Sequence, residues 1–125
     1  MSGIINYKLI DRSHNEHNYT NNGVYKIEKI EQNLLKTNIG KSTLEYIEKN
    51  NMYVTFNYDT NIPSGICGKV SGRDITIYPN NCEDFKSVCG TLIHETAHKQ
   101  YGWKHTQEDE INCYLMEFLH AKEHI

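Results

Sequence analysis

The run Leu92-Ile93-His94-Glu95-Thr96-Ala97-His98 constrains this chain more than any other. It reads H-E-x-x-H within a segment of helical periodicity. Positions four apart project from one face of a helix, so His94 and His98 can each offer an imidazole nitrogen to a single metal ion. Glu95 lies about a quarter turn from His94, at ~100° per residue. From there it is not a third equivalent ligand, but it reaches a water held by the ion. Zinc lowers the pKa of such a water towards ~7, and a neighbouring carboxylate then takes the proton. The spacing therefore offers two ligands, His94 and His98, and a general base, Glu95. Val88, Leu92, Ile93 and Ala97 give the helix apolar flanks, while Thr91, His94, His98 and Tyr101 form one polar stripe. The plain alternative is a chance pattern of two surface histidines. Polar groups aligned on an otherwise buried helix argue against it, because burying them without partners costs free energy.

A catalytic zinc site of this kind takes a third protein ligand and a water. Gly102 is a natural end to the helix. Thr106 opens another, with Asp109 three residues on as a weak capping box. Two arrangements compete for the third ligand. Glu110, on a helix antiparallel to the first, is preferred, since Cys113 one turn later is small enough to let two helices approach. His105 would extend the pattern towards H-E-x-x-H-x-x-G-x-x-H, but the interval from His98 to Gly102 is one residue too long. Glu108 is a further candidate, being nearer the centre of its helix's apolar stripe.

His94-Glu95-x-x-His98 followed by Glu110 resembles the gluzincin branch of the zincin metallopeptidases. It is most similar to small versions, the ImmA/IrrE-type peptidases and the metallopeptidase domains of bacterial toxin and phage proteins. The resemblance covers residues 73–119 and departs from the usual pattern at Cys113, where alanine is common, and in the short interval between His98 and Glu110. It implies a zincin-like fold, a Zn2+ cofactor and a peptide or protein substrate, with an inhibitor or immunity protein as a further partner. It also implies a role as a toxin or effector, or as a protease that cleaves a regulator. Tyrosines assist the oxyanion in related peptidases, which makes Tyr101 and Tyr114 candidates here. Two other readings remain open: a non-catalytic zincin-like binding or adaptor protein, and a metal-dependent amidase acting on cell-wall peptide.

The remaining composition bounds these expectations. With 125 residues the chain fits one domain spanning 1–125. A net charge of -3 and a pI near 6.1 argue against a nucleic-acid partner. No apolar run approaches a membrane span, and Met1 to Ile5 lacks the features of a signal peptide. The expected location is cytoplasmic, or outside the cell as part of a larger delivered system. Cys67, Cys82, Cys89 and Cys113 have no C-x-x-C spacing, and read either as buried thiols or as two disulfides.

Along the chain, residues 4–10 suggest a short strand and 11–23 a polar loop, so that 1–23 reads as a mobile arm. His14 and His17 lie there, and with His120 and His124 read as exposed. Helices are expected over 24–38 and 41–50, broken at Gly40. Strands are expected over 52–58, 66–70 and 74–78, then the metal helix over 82–101 and a last helix from Thr106 to about Lys122. Ile111, Tyr114, Leu115, Phe118 and Leu119 read as that helix's core stripe. The fold class is α+β: two N-terminal helices, a small, mainly antiparallel three-stranded sheet whose free edge suits an extended substrate, the H-E-x-x-H helix and a C-terminal helix.

Overall fold

Local sequence signals account for most element boundaries. The computed structural model describes residues 6–10, 16–17, 27–58 and 61–123. Strands β1 (Asn6–Ile10) and β2 (Glu16–His17) are followed by helices α1 (Ile27–Leu34) and α2 (Asn38–Lys49). Thr37 caps α2, its side chain accepting from the Gly40 amide. The break between the two helices therefore falls at Thr37 rather than Gly40. Gly40 lies inside α2, where a Cβ would overlap the Leu34 backbone. Asn51, with φ 52°, follows α2 and turns the chain out of it.

Strands β3 (Tyr53–Asn57), β4 (Gly68–Ser71) and β5 (Asp74–Ile77) come next. Gly72, at φ 59°, makes the turn of the β4–β5 hairpin. After a 3-10 turn at Pro79–Asn81, Asp84 opens α3 (Phe85–Gln100) by accepting from the Ser87 amide at 2.9 Å. Gly102, at φ 67°, follows α3, and α4 (Gln107–Glu123) begins after Thr106, which accepts from the Asp109 amide.

The α+β layout is the one expected, with a difference in pairing. The sheet order is β2-β1-β3-β5-β4, with β1–β3 and β3–β5 parallel and the β1–β2 and β4–β5 pairs antiparallel. The sheet is thus mixed rather than mainly antiparallel, and β1 and β2 extend it beyond the three expected strands. The hairpin turn dictates β4–β5, but long-range packing puts β5 between β4 and β3. Of the stretch 11–23, only Glu16–His17 is described, as strand rather than loop. The rest of it, with His14, lies outside the described residues, as do residues 1–5 and His124.

Alternation in β3 and β5 sends Val54, Phe56, Ile75 and Ile77 to one face, where they are buried. Ile30 and Leu34 from α1, Leu44 and Ile47 from α2, and Val88, Cys89, Leu92 and Ile93 from α3 complete this core. Helix α4 packs on α3, and its orientation is unexpected. Ile111, Tyr114, Leu115, Phe118 and Leu119 do not enter the core; they are 38–61% exposed. The buried positions of α4 are Cys113 and His120. His120, expected at the surface, sits between Thr37 Oγ1 and Asn33 Oδ1 (2.8 Å for the latter) and ties α4 to the end of α1. Contacts to polar groups of α3 and α1 accompany this phase, which leaves each of these apolar side chains about half exposed. All four cysteines are free thiols. Among the described residues no helix is long and apolar enough to cross a membrane.

Candidate metal centre

The last three turns of α3 are buried from Val88 to His98, so the H-E-x-x-H residues stand inside the molecule. The Nε2 atoms of both histidines face one carboxylate of α4: His94 Nε2 lies 2.7 Å and His98 Nε2 3.3 Å from Glu110 Oε1. Their Nδ1 atoms are held from behind. His94 Nδ1 is 3.0 Å from Glu117 Oε1, and His98 Nδ1 is 3.0 Å from the Trp103 carbonyl. Such partners orient imidazoles towards a metal.

The His98 ring decides what the cluster suits. A backbone carbonyl only accepts, so His98 Nδ1 carries the proton. In the neutral ring Nε2 is then a bare lone pair. It is buried without a hydrogen-bond partner, because the 3.3 Å approach to Glu110 lacks hydrogen-bond geometry. A lone pair and a carboxylate oxygen facing each other in a buried site call for a cation between them. The donor atoms of His94, His98, Glu110 and Cys113 all lie within 4.8 Å of one another, a group able to hold a metal ion.

The other candidates fall out differently. His105 Nδ1 contacts the second oxygen of Glu110 at 3.1 Å, from an exposed position, and its ring lies against His98. It supports the carboxylate from outside. Glu108 is exposed and stays out of the cluster. Tyr114 lies edge-on to His94 with ring centroids 4.5 Å apart. Tyr101 stacks on Trp103 and does not line the cleft.

Two residues of the site were not anticipated. Glu117 follows Glu110 by seven residues, two helical turns, so the spacing that aims one at His94 aims the other as well. Gly90 makes room for it, since a Cβ there would come 3.0 Å from Glu117 Oε2. Cys113 was read only as a small residue, yet its sulfur joins the donor group. Burial pushes its thiol up to about 12, aided by Glu110 and Glu95.

His94, Glu95, Glu110, Tyr114 and Glu117 line a cleft of about 400 Å3. Its far wall is the chain from Gly65 to Lys69, leading into edge strand β4. Gly68 lets that wall approach α3: a Cβ there would meet Thr91 Cγ2 at 2.7 Å and Glu95 Cγ at 3.1 Å. Glu95 is buried beside the histidines. Burial raises its pKa above the usual carboxylate value, against the pull of His94 and His98. For His94, burial opposes the charge, but the Glu117 and Glu110 carboxylates outweigh it and raise the pKa. For Glu110, burial is outweighed by the hydrogen bonds from His94 and His105, and its pKa is lowered.

These directions set the pH response of the metal-free protein. The raised His94 pKa contributes stability that is present below the ordinary 6.5 and lost as pH rises through the raised value. The lowered Glu110 pKa contributes stability present above the ordinary 4.5 and lost as pH falls through the lowered value. Both operate between 4.5 and 6.5. Ionisation of buried Glu95 removes further stability as pH rises. Chelator-treated protein is therefore expected to melt highest in that window and progressively lower above it. A stoichiometric divalent metal is expected to reverse the slope, because neutral imidazoles are the ligand form. Thermal melts across pH, with and without metal, check this; identical slopes would contradict it.

No family model matches the chain, and neither a curated protein nor a solved structure does.

Proposed function

We propose that this chain is a zinc-dependent hydrolase of peptide bonds, built on the zincin plan that its sequence resembles. The observation that carries the reading is the buried Nε2 of His98, which has no hydrogen-bond partner and faces the same Glu110 oxygen as His94 Nε2, with Glu95 beside the two rings. His94, His98 and Glu110 would hold the ion. Bound there, zinc supplies a Lewis acid that polarises a carbonyl and acidifies a water.

The protein's own groups do the rest. Glu95 takes the proton of the attacking water and passes it to the leaving amine. Its raised pKa suits both transfers. Glu117 and the Trp103 carbonyl keep the two rings in place. Tyr114, which lines the cleft and is kept protonated first by burial and then by Glu117 and Glu110, would donate to an oxyanion. An extended peptide fits as an added strand on β4, whose approach forms the cleft wall.

One observation favours a second reading. Cys113 Sγ belongs to the donor group, and four protein ligands make a closed, structural site. Cobalt substitution separates the two. In the hydrolase, wild type and Cys113→Ala take up one equivalent of metal alike, and neither shows thiolate-to-cobalt charge-transfer bands. Such bands in wild type, lost together with most of the affinity in Cys113→Ala, would instead make the protein a non-catalytic metal-binding domain.

A further inference from the structure

The exposed face of α4 is apolar from Ile111 to Leu119, about two and a half turns. Ile111, Tyr114, Leu115 and Phe118, with Leu119 at the margin, are 38–61% exposed among the described residues. Side chains of this size at these exposures leave on the order of 500 Å2 open, the upper range for a monomer. Two such patches together reach ~1,000 Å2, where specific association begins.

We propose that this face pairs with the same face of a second copy, the two α4 helices running antiparallel about a two-fold axis at Leu115. The charge pattern selects that occupant. On this face the charges are Glu108 in the first turn of α4 and Lys122 in the last, since Glu110 and His120 turn inward and Glu123 accepts from the Asn38 amide. Glu108 and Lys122 are both exposed and stand seven residues either side of Leu115. On a helix these three positions lie within about 40° of one another. A two-fold at Leu115 sets Glu108 of each copy opposite Lys122 of the other, and Ile111 opposite Leu119. Isologous pairing satisfies both ends at once, whereas a parallel pair would stack like charges. The acidic first turn also disfavours an anionic membrane surface. Tyr114 belongs to both the stripe and the cleft lining, so the second copy would stand beside the cleft.

Sedimentation equilibrium of the full chain tests this. Wild type is expected to be a dimer at micromolar concentration. Leu115→Asp and Phe118→Asp are expected to be monomeric, with unchanged helix content and metal uptake. Glu108→Lys and Lys122→Glu are each expected to weaken the dimer at least several-fold, and the double variant to restore it. A wild-type monomer at all concentrations, whether the stripe is bare or covered by another part of the chain or by lipid, would overturn the proposal. So would a dimer that survives Leu115→Asp, or charge variants whose effects merely add.

Discussion

Glu95→Gln is expected to keep the metal and lose hydrolysis by 10²–10⁴-fold, the usual contribution of a positioned general base. That loss is about 3–5 kcal/mol of transition-state stabilisation. The substitution preserves shape, so the close approach of Gly68 to the side chain is kept. It also removes a buried charge that the fold disfavours, as the raised pKa of Glu95 indicates. The variant is therefore expected to melt no lower than wild type above neutral pH, which separates lost chemistry from lost structure. Activity on a library of unstructured peptides, beside metal content and a thermal melt, makes the measurement. Unchanged turnover with full metal content would exclude Glu95 as the base and remove the main support for hydrolysis.

Glu110→Gln and Glu117→Gln are expected to separate in magnitude, although the two carboxylates stand on one face of α4 and both touch His94. Glu117 acts through the ring, and removing its charge is expected to cost 10–100-fold in metal affinity. Glu110 faces both Nε2 atoms, so its loss is expected to exceed that range and abolish stoichiometric uptake at micromolar metal. Glu110→Gln is also expected to flatten the pH profile of the metal-free protein, because Glu110 is one of the carboxylates that raise the His94 pKa. Calorimetric titration with zinc reads both variants. Equal, small losses in the two would mean that the ion is held by other residues.

The local parts of the fold were legible. The H-E-x-x-H helix, the Gly72 hairpin, the C-terminal end of α3 and the start of α4 depend on residues a few positions apart, where capping, turn geometry and periodicity act directly, whereas α3 starts at Phe85 behind the Asp84 cap rather than at Cys82. Of the three candidates for a third ligand, the structure brings Glu110 beside both histidines; Glu108 shares its turn, so only the rotation of α4 separates the two. Register across the sheet was not legible: β3 parallel to β5 is a choice between distant partners. Helix α4 misled for a clearer reason. Its longest apolar stripe reads as a core face, but the helix turns Glu110, Cys113, Glu117 and His120 inward instead.

The spacing of His94, Glu95 and His98 determined by itself that two imidazoles and a carboxylate would share one region of a helix, since helical geometry needs no other part of the chain. What stands opposite them was decided only in three dimensions. Glu117 behind His94, the Trp103 carbonyl behind His98, Cys113 beside them and the apolar stripe facing outward all depend on how α4 is rotated against α3. That rotation follows from polar groups meeting across an interface between separate elements, and hydrophobic periodicity within one helix carries no information about it.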